Sequence, residues 1–275
     1  MLLQVCTAGA SPQTSHDLTR HPAMRLLQFT DTHLLADPQG AIRGATTLPR
    51  LQACLAHARR RHLPADVIAV TGDLVQDDPV AYGTLELTLE GLGAPVLLIP
   101  GNHDVPGELR RRLSQPPFQV GGTFTCGRWG IVMLETWLEA SEDGEGRLGP
   151  EAIEAFDRQL TAFAERHVLV CLHHPPVLME AAGMDALGLL DAPAFMATIA
   201  RHDNVRGVAW GHAHQSLDLY RGAVRLMCTP ATCMQFKPRV DGFIVDDRPP
   251  GYRVIDLHDD GGIASEVVWL EGYAE

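Results

Sequence analysis

Pro100–Gly101–Asn102–His103–Asp104, the run PGNHD, decides how this chain is read. It follows Pro95–Val96–Leu97–Leu98–Ile99, an apolar stretch of strand length closed by Pro and Gly, so Asn102 and His103 are expected on a loop at a strand's carboxyl end. Ligands gather at such ends in α/β sheets. Four other apolar runs end the same way. Leu26–Phe29 precedes Asp31 and His33, Val67–Val70 precedes Gly72–Asp73, Val168–Leu172 precedes His173–His174, and Val205–Trp210 precedes Gly211–His212–Ala213–His214. Five strand ends are therefore expected to bring Asp, His and Asn side chains to one rim.

The segments between these runs supply the connections. Leu48, Leu51, Leu55 and Ala58 recur at helical spacing through His62, and Pro64–Ala65–Asp66 stops the helix before the next strand, a β-α-β pattern. Pro79 to about Glu90 reads as a second crossover helix with Pro in its first turn. Val105 to Pro117 reads as a short helix and loop, and its Arg110–Arg111–Arg112 as a solvated surface run, with phosphate steering as the alternative. Thr123–Cys126, Gly127–Arg128 and Trp129–Glu135 form a hairpin pattern that opens a second sheet. Gly149–Pro150 opens a helix from Glu151 to about Arg166, and Asp191–Ala192–Pro193 caps another through His202. Beyond Gly211, the runs Ser216–Tyr220, Ala223–Cys228, Tyr252–Leu257 and Ile263–Leu270 read as antiparallel strands. Residues 1–23 are Ser/Thr/Pro/His-rich without periodicity and read as a tail, with Met24 as an alternative start, leaving 24–275 as a single domain.

Composition narrows the partners. With 22 Lys+Arg against 34 Asp+Glu the net charge of −12 excludes nucleic acid and anionic membrane surfaces. No apolar run approaches the roughly 18 residues of a transmembrane helix, and Met1–Cys6 lacks the basic flank of a signal peptide, so a cytoplasmic protein is expected, as monomer or homodimer. Six cysteines (Cys6, Cys54, Cys126, Cys171, Cys228, Cys233) form no CxxC pair and are expected to be reduced, although Cys228 and Cys233 lie close enough in sequence to bridge.

The rim's chemistry follows from its residue types. A mixture of carboxylate, amide and imidazole suits borderline ions such as iron, manganese, zinc or cobalt, whereas magnesium and calcium prefer oxygen alone. Asp31, His33, Asp73, Asn102, His173, His212 and His214 are too many donors for one tetrahedral ion and suit two ions sharing a carboxylate. Such a pair activates a water and stabilises both oxygens of a displacement at phosphorus, which points to phosphoester hydrolysis. A lone His at a strand end is ordinarily a hydrogen-bonded structural residue. Five such motifs in order, each after an apolar strand, are not explained that way.

The set D-x-H, GD, GNHD, a His before Pro and GH-x-H resembles the calcineurin-like metallophosphoesterases, and the match extends over nearly the whole chain after residue 23. Thr229–Pro230–Ala231–Thr232–Cys233–Met234–Gln235–Phe236–Lys237–Pro238, with Pro250–Gly251–Tyr252–Arg253, is similar to the bacterial class III 3′,5′-cyclic-AMP phosphodiesterases. The resemblance implies an α/β four-layer sandwich, two facing mixed sheets flanked by helices. It implies Asp31, His33, Asp73 and His214 on one metal and Asp73, Asn102, His173 and His212 on the other, with Fe2+ or Mn2+ first among the candidate ions and Zn2+ or Co2+ as alternatives. The implied reaction is attack of a bridging hydroxide on cyclic AMP, releasing 5′-AMP. Two divalent ions, two carboxylates and that hydroxide leave about +1, attractive to a phosphodiester.

His103 is implied as the catalytic His beside the leaving oxygen, and His33, Asn102, His103 and His214 are expected to face the substrate. His174 and Gln235 are further candidates there. Neighbours on extended chain point oppositely, so one of His173 and His174 must turn away, and the family pattern favours His173 as ligand. Related enzymes often carry an Asp three residues after the GD aspartate to orient the catalytic His. Here Gln76 stands at that position, which leaves Asp77 and Asp104 as orienting candidates. A broader phosphodiesterase acting on glycerophosphodiesters or 2′,3′-cyclic nucleotides, and a catalytically silent binding scaffold, are the alternatives. A scaffold is disfavoured because every ligand position is filled.

Overall fold

Alternation along the first strand sets the layering. In β1 (Met24–Phe29), Met24 and Leu26 join the core between two sheets, while Leu27 and Phe29 pack on the opposite face against helices. The computed structural model describes residues 22–139, 141 and 143–273; nearly all of the expected tail, including Cys6, lies outside the described residues. After β1 come a small hairpin of β2 (Ala41–Ile42) and β3 (Ala45–Thr46), α1 (Thr47–Arg61), β4 (Val67–Thr71), a 3₁₀ turn at Pro79–Ala81, α2 (Tyr82–Leu89), β5 (Val96–Ile99), α3 (Pro106–Arg112) and β6 (Phe118–Val120). A second set follows: β7 (Gly122–Cys126), β8 (Trp129–Met133), α4 (Gly149–Ala162), β9 (His167–Cys171), α5 (Ala182–Ala186), α6 (Ala192–Ile199), β10 (Val205–Trp210), β11 (Leu217–Arg221) and β12 (Val224–Cys228). The chain ends with β13 (Gln235–Phe236), β14 (Val245–Asp246), β15 (Gly251–Leu257) and β16 (Ile263–Trp269).

One sheet has the order β16-β15-β1-β4-β5-β6 and the other β11-β12-β10-β9-β8-β7. In the first, β1, β4, β5 and β6 run parallel and β15 returns antiparallel beside β1. In the second, β12, β10, β9 and β8 run parallel, flanked by antiparallel β11 and β7. The two sheets face one another across Leu26, Ala69 and Leu97 on one side and Ile131, Leu169 and Ala209 on the other. Their outer faces are covered by helices. Leu51, Cys54, Leu55 and Ala58 of α1 recur every three or four residues and seal the first sheet; Phe156 and Leu160 of α4, with Phe195 and Ile199 of α6, seal the second. The expected pair of facing mixed sheets flanked by helices is what forms.

Some expectations need correction. The run after Gly211 is not wholly antiparallel: β12 pairs antiparallel with β11 and parallel with β10. β6, only three residues long after Pro116–Pro117, was not anticipated and closes the edge beside β5. α4 stops at Ala162 because Asn204 donates its side-chain amide to the Leu160 and Phe163 carbonyls, ending the helix before Arg166. Asp191 occupies the N-cap position of α6, but its carboxylate accepts from the Leu148 and Gly149 amides at the start of α4 instead. No helix among the described residues is long and apolar enough to cross a membrane.

Candidate active site

Parallel strands of both sheets finish at one rim, and there the backbone leaves ordinary geometry. Asp31 (φ 52°), His33 (φ 44°), Asp73 (φ 49°), His212 (φ 64°) and His214 (φ 51°) all adopt the left-handed conformation. For residues other than Gly this costs about 1–3 kcal/mol each and persists only where the surroundings impose it. Here the Asp31 and His33 amides donate to the Gly72 and Asp73 carbonyls, and the His212 amide donates to the Asp31 carboxylate. Two glycines leave the room required. A methyl group at Gly101 would collide with the Asp73 carboxylate and the His173 ring, and one at Gly211 with the Thr30 hydroxyl.

The side chains converge in two groups that share Asp73. In the first, His33 Nε2 lies 3.5 Å from Asp73 Oδ2 and 3.1 Å from His214 Nε2, which lies 3.4 Å from Asp31 Oδ1. In the second, His173 Nε2 lies 3.4 Å from Asp73 Oδ1 and 3.3 Å from Asn102 Oδ1, while His212 Nδ1 lies 3.0 Å from Asn102 Oδ1 and 3.2 Å from His173 Nε2. All seven expected ligands are thus brought together, with one oxygen of Asp73 in each group.

The donor chemistry fits cations. His33 Nδ1 donates to Gln76 Oε1 (2.8 Å), His173 Nδ1 to the Thr71 carbonyl (2.8 Å) and His214 Nδ1 to the Met234 carbonyl (2.7 Å). Since each acceptor is a carbonyl oxygen, the proton sits on Nδ1 and a lone pair on Nε2 faces the rim, the tautomer a metal needs. Two such lone-pair nitrogens facing each other at 3.1 Å, as His33 and His214 do, repel unless a cation lies between them. Ligands about 2.0–2.2 Å from one ion are separated by about 3–3.5 Å, the spacing seen in both groups.

Burial and neighbouring charge set the protonation. Burial alone would raise the Asp73 carboxyl, but the His173 and His33 imidazoles hold it well below the usual range. Burial also opposes ionisation of Asp31, which His214 holds low. Burial pushes His33 down to about 4 and His212 well below its ordinary value. Against the same burial, Asp73 holds His173 up at about 9, and Cys233 and Asp31 hold His214 well above the ordinary value. Two buried carboxylates thus demand positive charge, which divalent ions supply without protonating a ligand.

His103 adjoins the ligand groups on the wall of a cleft of about 760 Å³ that opens over them: its ring lies 5.2 Å from that of His33 and its backbone amide donates to Asp73 Oδ1 at 2.9 Å. Its Nδ1 meets the Asp77 carboxylate (3.1 Å) and the Gln76 amide nitrogen (2.8 Å), and Gln76 in turn donates to Asp77 (2.7 Å). Asp77 is therefore placed to orient His103. Asp104 is not. Its carboxylate accepts from the Gly101, Leu74 and Val75 amides and the Tyr82 hydroxyl, holding the loop rather than the imidazole. Burial and then the Asp73 charge push the Asp104 carboxyl up to about 7 against those hydrogen bonds.

Other candidates have contacts of their own. His174 contacts Thr136 Oγ1 through Nδ1 at 2.7 Å, while its ring lies 4.8 Å from those of His173 and His212, with a ring nitrogen within 4.8 Å of theirs. Gln235 is buried and braces its own loop, contacting the Ala231 amide and carbonyl at 3.0 and 2.7 Å, so it does not line the cleft. Its neighbours Met234 and Phe236 do. Arg110, Arg111 and Arg112 are paired with Glu135, Glu108 and Glu86, which fits a surface run better than phosphate steering. Cys228 and Cys233 are free, as are the other described cysteines. Sequence reasoning missed the double role of Gln76, the Thr136 partner of His174, and Arg43 and Phe243 on the cleft wall. Only Gln76 left a signal, as a departure from the related pattern.

A family model for calcineurin-like phosphoesterases matches residues 24–216. A probable cyclic nucleotide phosphodiesterase of Synechococcus sp. is 36% identical over 249 residues, 90% of this chain and 93% of that protein. The 3′,5′-cyclic adenosine monophosphate phosphodiesterase CpdA of Vibrio vulnificus is 33% identical over 256 residues, 92% of this chain and 93% of that protein. A solved dimetal phosphatase from Danio rerio has the same fold, with a TM-score of 0.67 at 13% identity, covering 90% of this chain and 99% of that one. With both sheets, the ordered strand-end motifs and these likenesses in agreement, the chain belongs to the calcineurin-like phosphoesterases, hydrolases of a family that uses two divalent metal ions.

Proposed function

We propose that this protein hydrolyses 3′,5′-cyclic AMP to 5′-AMP. The observation that carries the reading is the pair of donor groups sharing Asp73, with His103 beside them on the wall of an open cleft. The likeness to cyclic nucleotide phosphodiesterases over nine-tenths of the chain supports the choice of substrate. Asp31, His33, Asp73 and His214 would hold one ion, and Asp73, Asn102, His173 and His212 the other. When bound, the two ions supply Lewis acidity toward the phosphoryl oxygens and an acidified water as nucleophile. Oxygen and imidazole donors without thiolate favour Fe2+ or Mn2+, with Zn2+ and Co2+ as alternatives.

The chain's own work is positioning and proton transfer. A new bond forms from water oxygen to phosphorus and the bond from phosphorus to the 3′-oxygen breaks, so that oxygen needs a proton. His103 delivers it. Its Nδ1 is engaged by Asp77 and Gln76, which leaves Nε2 for the leaving oxygen. We place the reaction in the cytoplasm, where thiols such as the buried Cys54, Cys171, Cys228 and Cys233 stay reduced.

The test is a substrate panel on protein of measured metal content, with products identified: cyclic AMP, 2′,3′-cyclic AMP, a glycerophosphodiester and a nitrophenyl diester. Two metal equivalents and 5′-AMP as sole product from cyclic AMP are expected. Metal without turnover of any of these diesters would favour the scaffold, and preference for 2′,3′-cyclic AMP or the glycerophosphodiester would favour the broader enzyme.

A further inference from the structure

The cleft extends beyond the ligand groups to a wall that the metal chemistry does not explain. Phe236 stacks on His214, ring centroids 4.8 Å apart and 30° between planes, and Phe243 meets Phe236 edge-on at 5.4 Å. Over the Phe236 ring, at 5.6 Å, lies the guanidinium of Arg43, whose Nη1 donates to the Phe243 carbonyl at 3.2 Å. These residues come from two distant segments. Arg43 and Gly44 are the two-residue turn of the β2–β3 hairpin, where Ile42 pairs with Ala45, and both take positive φ (49° and 88°). That hand suits a tight hairpin, and it holds a side chain at the tip that an exposed turn would more readily fill with Asn or Gly.

Arg43 differs from those arginines of this acidic chain that are held in ion pairs. Among the residues lining the cleft it is the sole Arg or Lys, and among the described residues it forms no ion pair, whereas Arg110, Arg111, Arg112, Arg225 and Arg253 each meet a carboxylate. It presents a forked set of N–H donors with one carbonyl accepting from it. Its guanidinium lies 5.6 Å from the centroid of the ring that stacks at 4.8 Å on His214, so it borders the ligand groups.

We propose that Arg43, Phe236 and Phe243 form the base subsite of the enzyme. The subsite takes a planar heteroaromatic base: guanidinium N–H groups donate to acceptor atoms on the base edge, and the two phenyl rings give it an apolar surface. This rests on the cyclic-nucleotide reading above and names the residues that make the base, rather than the phosphate alone, matter to recognition. Purines offer ring nitrogen acceptors on their edge, and guanine adds a carbonyl, so cyclic GMP belongs to the same class of ligand.

The test compares substrates that share the scissile bond and differ only in the base: cyclic AMP and methyl ribofuranoside 3′,5′-cyclic phosphate. For Arg43→Ala with unchanged metal content, the ratio of kcat/KM for cyclic AMP to that for the baseless ester should fall about tenfold, mainly through KM. Phe243→Ala should move the ratio the same way. A ratio that stays put, whether both rates fall together or neither moves, overturns the subsite. Calorimetry provides a second reading free of turnover: the advantage of 5′-AMP over ribose 5-phosphate in binding should shrink by a similar factor in Arg43→Ala. Should the wild type hydrolyse neither cyclic ester, the cyclic-nucleotide reading fails, while the calorimetric ratio still upholds or overturns the subsite.

Discussion

His103 and Gln76 show how neighbouring polar residues take different tasks. His103 contacts no ligand imidazole at hydrogen-bond distance and is held from one side by Asp77 and Gln76, so its removal should spare the ion groups. His103→Ala should slow cyclic AMP by about 10²–10⁴-fold and a nitrophenyl diester far less, because only the poorer leaving group needs a proton. Equal losses on both substrates would assign His103 to charge stabilisation. Gln76 has one oxygen on His33 and one nitrogen shared by His103 and Asp77. Gln76→Ala frees the His33 ring to rotate and should weaken one of two metal equivalents by about 10–100-fold in a titration. Unchanged affinity for both equivalents would show that His33 is held by packing alone.

At the scale of elements, strands and helices are tied by side chains that serve a neighbour rather than their own segment. Asp191 stands where α6 begins, yet its carboxylate accepts from Leu148 and Gly149 and so caps α4. Asp191→Ala should cost about 1–2 kcal/mol, read as a lower denaturation midpoint with the m-value unchanged. A cost that vanished would mean water replaces the carboxylate at no loss. Gln235 instead serves its own segment, Ala231–Gln235: by closing that loop it supports Met234, whose carbonyl fixes the His214 tautomer. Its expected place in the pocket is thus taken by a bracing role one residue from the wall.

For the whole molecule, the decisive contact is between the sheets. Buried Arg253 on β15 donates to Thr229 Oγ1, to the Leu217 and Cys228 carbonyls, to Ser265 Oγ and to Asp218, and Thr229 donates to Gln28 Oε1 on β1. Burial lowers its ionisation, which Asp218 counters. Arg253→Leu leaves several buried acceptors without a donor and should destabilise the fold by about 2–4 kcal/mol. Equilibrium denaturation checks this; a loss under about 0.5 kcal/mol would show that the apolar interface between the sheets suffices without the polar bridge.

The order of the strand-end motifs, the short apolar runs of β1 and β4 and the helical spacing in α1 were legible in the sequence because each is a local property of a short segment. Local pattern therefore marked the strands, the helices and the strand ends that carry the seven candidate ligands, whereas the pairing of two facing sheets and the choice of His173 over His174 came with the family resemblance. Local pattern could not determine which atom each ligand presents. His212 offers Nδ1 while His33, His173 and His214 offer Nε2, a choice made by carbonyls from Thr71, Met234 and Gln76 that lie far away in sequence. The same holds for Asp104, turned by Tyr82 and three amides away from His103, and for Arg43 on the ring of Phe236. Those arrangements depend on strand register and on how the two sheets pack, which fix distances between residues more than two hundred positions apart and leave no trace in either neighbourhood.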